Sequence, residues 1–127
     1  MELETILRRD FGLNPFVLKD LPTIGSLTII EKFEHYAQKC SFAIALFTPD
    51  DVIEKDGIKY LQARPNVIYE LGWFCGKLSR KNVILILKEG TDIFSDFQGI
   101  VQIRFKNEIV EKYRDLMQEL KVKNLVK

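Results

Sequence analysis

Residues 63–90 run ARPNVIYELGWFCGKLSRKNVILILKEG, and this stretch decides the fold. Its first half carries the marks of a helix. Pro65 suits a first helical turn, where its missing N–H costs nothing and its fixed φ is already helical. Asn66, Glu70, Trp73 and Lys77 then recur at helical spacing and share one face. Gly72 and Gly76 stand four apart on another face. Each costs roughly 1 kcal/mol against alanine in a helix interior, so close packing of the backbone is the expected reason for them. Asn66 and Glu70 fall one turn apart near the positive end of the helix dipole, which would hold a carboxylate ionised and aimed. The second half, Val83–Leu87, is an unbroken apolar run, expected to be a strand buried on both faces.

Working outward, helix and strand patterns alternate. Leu3, Ile6, Leu7 and Phe11 mark a short amphipathic helix that Gly12 and Asn14–Pro15 end. Pro15–Asp20 is expected to be a short strand, followed by a loop with Pro22 and Gly25. Thr28 or Ser26 can cap the next helix, which turns Ile29, Ile30, Phe33, Tyr36 and Cys40 inward. Phe42–Phe47 is a second apolar strand. Residues 52–63, with Gly57, form a polar connector. Ile100–Phe105 alternates less cleanly and suits a sheet edge. Ile109, Tyr113, Leu116, Met117 and Leu120 mark a last amphipathic helix before a frayed lysine-rich tail. Strands apolar on both faces, alternating with helices, predict an α/β fold with a mostly parallel sheet between helical layers. In such folds ligands bind beyond the C-terminal strand ends. That rim would hold Asp20–Ser26, Thr48–Ile53, Glu89–Phe94 and the start of the Glu70 helix.

Composition narrows the function classes. At 127 residues the chain suits one domain spanning 1–127 with a single core. Its net charge of +1, with no basic stripe, gives no case for nucleic acid. Cys40 and Cys75 lack CxxC spacing and are expected to be free, buried thiols. No apolar run is long enough for a membrane span and no signal peptide opens the chain, so a cytoplasmic protein is expected. No His, Cys, Asp and Glu spacing suggests a metal. His35, the lone histidine, has no nucleophile motif near it. The glycines match neither a dinucleotide fingerprint nor a P-loop.

Taken singly, each candidate also has a plain reading. A helical glutamate such as Glu70 is ordinarily a solvated surface group. Asn66 can simply cap the helix, and Trp73 fits the core more readily than a ring-stacking platform. Asp50 and Asp51 follow Thr48–Pro49 at a strand end, where a turn is the default.

Together the segments TIIEKF (28–33), FAIALFTPDDV (42–52) and ARPNVIYELGWFCGKLSRKNVILILKEG (63–90) resemble the prokaryotic TIR-like predicted nucleotide-binding domains of antiphage defence. The RxNVxxExGxxxGxL pattern at residues 64–78 is the most specific part. The resemblance implies a flavodoxin-like, TIR-like three-layer sandwich. It also implies that Glu70, the glutamate of NVxxE, is the catalytic residue of an NAD+ glycohydrolase. Arg64, Asn66, Asp50 and Asp51 occupy the family's other motif positions. Such domains normally open with a strand ahead of their first helix, whereas this sequence opens inside that helix. The strand expected centrally, between the segments at Phe16 and Phe42, is therefore not supplied by residues 1–127. KLSRKN also stands where the family has KLGR, placing Ser79 at the helix end.

The implied chemistry suits these residues. Cleaving the nicotinamide–ribose bond expels neutral nicotinamide from a cationic ring, with no proton donor, metal or added cofactor. The transition state has oxocarbenium character, as in glycoside hydrolysis. One ionised carboxylate can stabilise it if water is excluded. Trp73 can stack on a ring and Arg64 can pair with a phosphate. NAD+ or a related nucleotide is the implied substrate, and self-association or a sensor-domain partner the implied control. Two other readings stand beside this one. The chain can be a silent nucleotide-binding or assembly module. It can also be a nucleoside deoxyribosyltransferase-like enzyme, which would form a covalent glycosyl-carboxylate.

Overall fold

The computed structural model describes residues 2–18, 25, 28–93, 97 and 99–125. Helix α1 (Glu2–Thr5) widens into a π turn over Ile6–Asp10. It buries Leu3, Ile6 and Leu7, with Phe11 just beyond. Gly12, at φ 67°, supplies the left-handed residue that stops it. The strand expected over Pro15–Asp20 does not form in the described residues 15–18, and residues 19 and 20 lie outside the description. A strand needs a ladder partner. Here the segment is held instead by the Arg8 guanidinium, which donates to Asn14 Oδ1 at 2.8 Å and to the Pro15 carbonyl at 2.9 Å.

Thr28 caps α2 (Ile29–Ala37) in a reciprocal capping box with Glu31, both bonds at 3.1 Å. Phe33 and Ala37 are buried from this helix, but Ile29 is 83% exposed and Ile30 52%. The inward face was legible from periodicity, yet burial also needs a neighbour. The sheet supplies one for the middle of α2 and not for its first turn.

That sheet has three parallel strands in the order β1 (Ala43–Phe47), β4 (Val83–Lys88), β5 (Val101–Phe105). Ala45 aligns with Leu85, and Leu85 with Gln102. The central strand β4 is buried from Val83 to Leu87, as its apolar run predicts. Strand β1 is at an edge, so Ile44, Ala45 and Leu46 are only half-buried. Among the described residues no strand pairs with its other side, where the resemblance implied a central strand. Strand β5 forms the other edge, as its weaker pattern suggested.

Helices cover both faces. Leu3, Ile6, Leu7, Ile109, Leu116 and Leu120 pack on Ile84, Ile86, Ile103 and Phe105. The last three helical residues of that set include Leu116 and Leu120 from α4 (Tyr113–Val122). On the opposite face Phe33 and Ala37 of α2 join Leu71 and Phe74 of α3 (Pro65–Leu78) over Val83, Leu85 and Leu87. The result is a three-layer α/β/α sandwich of the TIR-like kind. Among the described residues no helix is long and apolar enough to cross a membrane.

Residues 52–63 correct the expected polar connector. They belong to an antiparallel hairpin, β2 (Asp51–Lys55) and β3 (Ile58–Gln62), turning at Asp56 (φ 54°) and Gly57 (φ 78°). Two left-handed residues in a two-residue loop make the turn whose twist matches hairpin strands, and Asp-Gly is its usual sequence. That signal was present at residues 56–57.

The helix glycines also differ from expectation. A Cβ added at Gly72 or Gly76 meets nothing within 4 Å, so neither serves close packing inside this chain. Gly72→Ala and Gly76→Ala should each stabilise the isolated chain by roughly 1 kcal/mol in chemical denaturation. At the far end of α3, Ser79 sits at φ 74°, ψ 152°, a region almost confined to glycine. The serine in KLSRKN thus occupies a glycine-type helix end.

Candidate active site

Helix α3 starts at the C-terminal rim of the sheet, and its start is tied down. The Asp92 carboxylate accepts from the Leu61 N–H at 2.8 Å, while the Asp92 N–H donates to the Leu61 carbonyl at 2.7 Å. This double link joins the loop after β4 to the base of the hairpin, three residues before Arg64. Gln62 and Ala63 are buried there, which fixes where α3 enters. Beside Asp92, the Thr91 hydroxyl is buried with no hydrogen-bond partner among the described residues. Sequence reasoning did not single out Asp92 or Thr91. A lone Thr-Asp after a strand carries no spacing signal.

Arg64 forms the N-cap of α3 in extended conformation, and its carbonyl accepts from Val67 and Ile68. Its side chain and that of Asn66 are exposed, and no side chain caps the helix. Glu70 is half-buried. Burial pushes its carboxyl above the usual 4.5, and no described residue hydrogen-bonds or ion-pairs with it. The expected dipole-held, readily ionised carboxylate is therefore corrected in direction. Glu70 is the sixth residue of α3, beyond the first turn where the dipole is felt.

Aromatic rings from α2 and α3 crowd this part of the helix. The Phe33 ring meets Tyr69 (6.1 Å), Trp73 (5.2 Å) and Phe74 (5.5 Å) edge-on. On a helix surface Glu70 completes a parallelogram with those three residues. Phe33 thus packs on the side of α3 to which the Glu70 position also belongs. Trp73 is half-buried in the same pile and also meets Phe74 edge-on at 5.4 Å. Its packing follows the core reading, and part of the residue stays exposed.

The two aspartates belong to the turn that follows β1. Asp50 is exposed and accepts from the Thr48 hydroxyl. Asp51 is half-buried and begins β2 opposite Gln62. So Arg64, Asn66, Glu70 and Trp73 share one helix, while Asp50 and Asp51 belong to the loop and strand that lead to it. Two surface hollows contain none of these residues. One is lined by Glu2, Ile6, Arg9 and Val110, the other by Val101, Arg104, Lys112 and Glu119. Among the described residues no group of His, Cys, Asp and Glu could hold a metal ion.

Comparison with known proteins places this geometry in a family. The uncharacterized protein YuaY of Escherichia coli is 45% identical over 93 residues, 71% of this chain and 30% of that protein. Protein tirC of Dictyostelium discoideum is 31% identical over 80% of this chain and 56% of its own length. The Pycsar effector protein BcPycTIR of Burkholderia cepacia is 34% identical over 66% of this chain and 30% of its own. The chain spans well under two thirds of the length of these curated relatives. The family model for the TIR domain of the CAP12/Pycsar effector protein matches residues 1–107 and takes in all of α1 to β5 with Glu70, so the chain belongs to the CAP12/Pycsar effector TIR-domain family.

Proposed function

We propose that this chain is an NAD+ glycohydrolase effector domain of prokaryotic antiviral defence, with Glu70 as its catalytic carboxylate. The observation that carries the reading is Glu70 itself. It is half-buried, without a hydrogen-bond or ion-pair partner among the described residues, and one turn before Trp73 on the helix that opens at the strand-end rim. An unpaired carboxylate kept in partly dry surroundings is costly unless it serves a ligand, and it acts most strongly on a developing positive charge there. Arg64 and Asn66, exposed one to two turns earlier, are free to meet phosphate and ribose. Asp50 and Asp51 would line the opposite side, and Trp73 would offer its edge to a ring. The test is nicotinamide release from NAD+ by the parent and by Glu70→Ala.

The raised carboxyl has a further consequence. Glu70 holds its proton more tightly folded than unfolded, so its relative contribution to stability is present at low pH and lost as pH rises past its folded value. Glu70→Gln should therefore melt at a higher temperature than the parent at pH 7 to 8. The difference should shrink as pH falls towards 4.5. Turnover should show the opposite trend and rise with pH as the carboxylate forms, with its midpoint above 4.5.

A second reading, a module that binds nucleotide or assembles without turnover, is favoured by one specific observation. Among the described residues no strand pairs with the outer side of β1. It predicts nucleotide binding with no nicotinamide released. The extra length of the relatives leaves room for a sensor domain as partner under either reading.

A further inference from the structure

We propose that the β2–β3 hairpin is a self-association element that pairs edge to edge with the same hairpin of a second copy of this chain. Strand β2 would lie antiparallel to its counterpart about a two-fold axis at Ile53. The inference stands independently of the role given to Glu70.

The hairpin carries an unusual share of exposed apolar side chains. Val52 is 64% exposed and Ile58 56%, and Ile53, Tyr60 and Leu61 are exposed as well. Ile53 pairs with Tyr60 on one face, beside Ile58, while Val52 pairs with Leu61 on the other. A lone two-stranded ribbon is marginal in water, and open strand edges flanked by apolar residues are templates for pairing.

The hydrogen-bond pattern selects the edge. Both backbone groups of Leu61 are turned outward to Asp92, so Val52 and Leu61 form a pair that exchanges no bonds. By alternation the N–H and C=O groups of Val52 and Glu54 point to the outer side of β2, where no strand lies. The outer side of β3 is already engaged at Leu61.

Charge selects the register. With the axis at Ile53, Val52 pairs with Glu54 of the second copy and exchanges backbone bonds with it. Ile53 then faces Ile53, and each Asp51 faces a Lys55, twice over. Moving the axis to Val52 sets Asp51 opposite Ile53 and loses both Asp51–Lys55 pairs, and moving it to Glu54 sets two glutamates face to face. Opposite charges directly across strands favour pairing and like charges oppose it. Within β2, the Ile53 register is the one that meets the hydrogen-bond condition and also sets opposite charges across the strands. It would build a four-stranded sheet with two Ile53 and two Tyr60 side chains on one face.

Sedimentation velocity across a protein concentration series tests this. The parent should show a concentration-dependent monomer–dimer equilibrium. Val52→Pro removes only the outward N–H and leaves the hairpin's own ladder intact. It should raise the dimer dissociation constant at least about tenfold. Lys55→Asp and Asp51→Lys should each weaken dimerisation alone. Mixed in equal amounts they should form a heterodimer with near-parental affinity, because each repulsion then becomes an attraction. That recovery also shows that both variants are folded. A parent that stays monomeric to about 1 mM would overturn the proposal. So would Val52→Pro dimerising like the parent, or a charge-variant mixture no tighter than its components.

Discussion

Replacing Glu70 with alanine should lower nicotinamide release from NAD+ by at least about a hundredfold, measured with assembled protein at saturating substrate. The size follows from the proposed chemistry. When nicotinamide leaves, positive charge spreads over the ribose ring, and one carboxylate in partly dry surroundings is the only anion that α3 offers. The Glu70→Ala chain should keep its fold, because the carboxylate makes no described bond and its removal relieves desolvation. Loss of turnover with a melting temperature no lower than the parent's supports the assignment. Equal release by mutant and parent would remove Glu70 from the reaction. Nucleotide binding without release in either would favour the silent module. A covalent sugar–protein adduct trapped on the parent would favour the transferase alternative.

Phe33→Ala should destabilise the chain by about 3–5 kcal/mol, read from chemical denaturation. The ring is buried and is the contact by which α2 grips Tyr69, Trp73 and Phe74 of α3. Small domains hold only about 5–15 kcal/mol in total, so the variant should be close to unfolding. Phe33→Leu keeps most of the volume and should cost far less. In that variant the Glu70 carboxyl should titrate closer to 4.5, because water reaches it more freely. If Glu70 titrates unchanged in Phe33→Leu, its desolvation comes from elsewhere and Phe33 is not its seat.

Much of the site was legible in residues 64–78. Pro65 at the helix start and the spacing of Asn66, Glu70 and Trp73 are local properties, and the structure keeps them on one helix. The direction of the Glu70 titration was not legible. It depends on burial, which the packing of α2 and the sheet around α3 decides and the local sequence does not. Asp92 escaped notice for the same reason, since its partner Leu61 is 31 residues away. The hairpin at residues 51–62 is a different case. Asp56–Gly57 announced it, but the mixed polarity of its strands, exposed on both faces, hid the alternation that marks a half-buried strand.

The sequence by itself determined the class of the fold. Apolar runs at 42–47 and 83–87, set between amphipathic helices, can satisfy their backbone and hide their side chains only in a sheet covered on both faces. It determined the helix start at Pro65 and narrowed the other to Thr28 or Ser26, because caps and φ restrictions act over a few residues. The tertiary structure alone decided which of those apolar residues are buried. Ile29 and Ile30 lie on the proper face of α2 and remain exposed, and Pro15–Leu18 has strand composition without a strand. Gly72 and Gly76 face open space. In each instance the side chain or backbone group is specified locally, while its burial or pairing requires a neighbour from elsewhere in the chain or from another molecule.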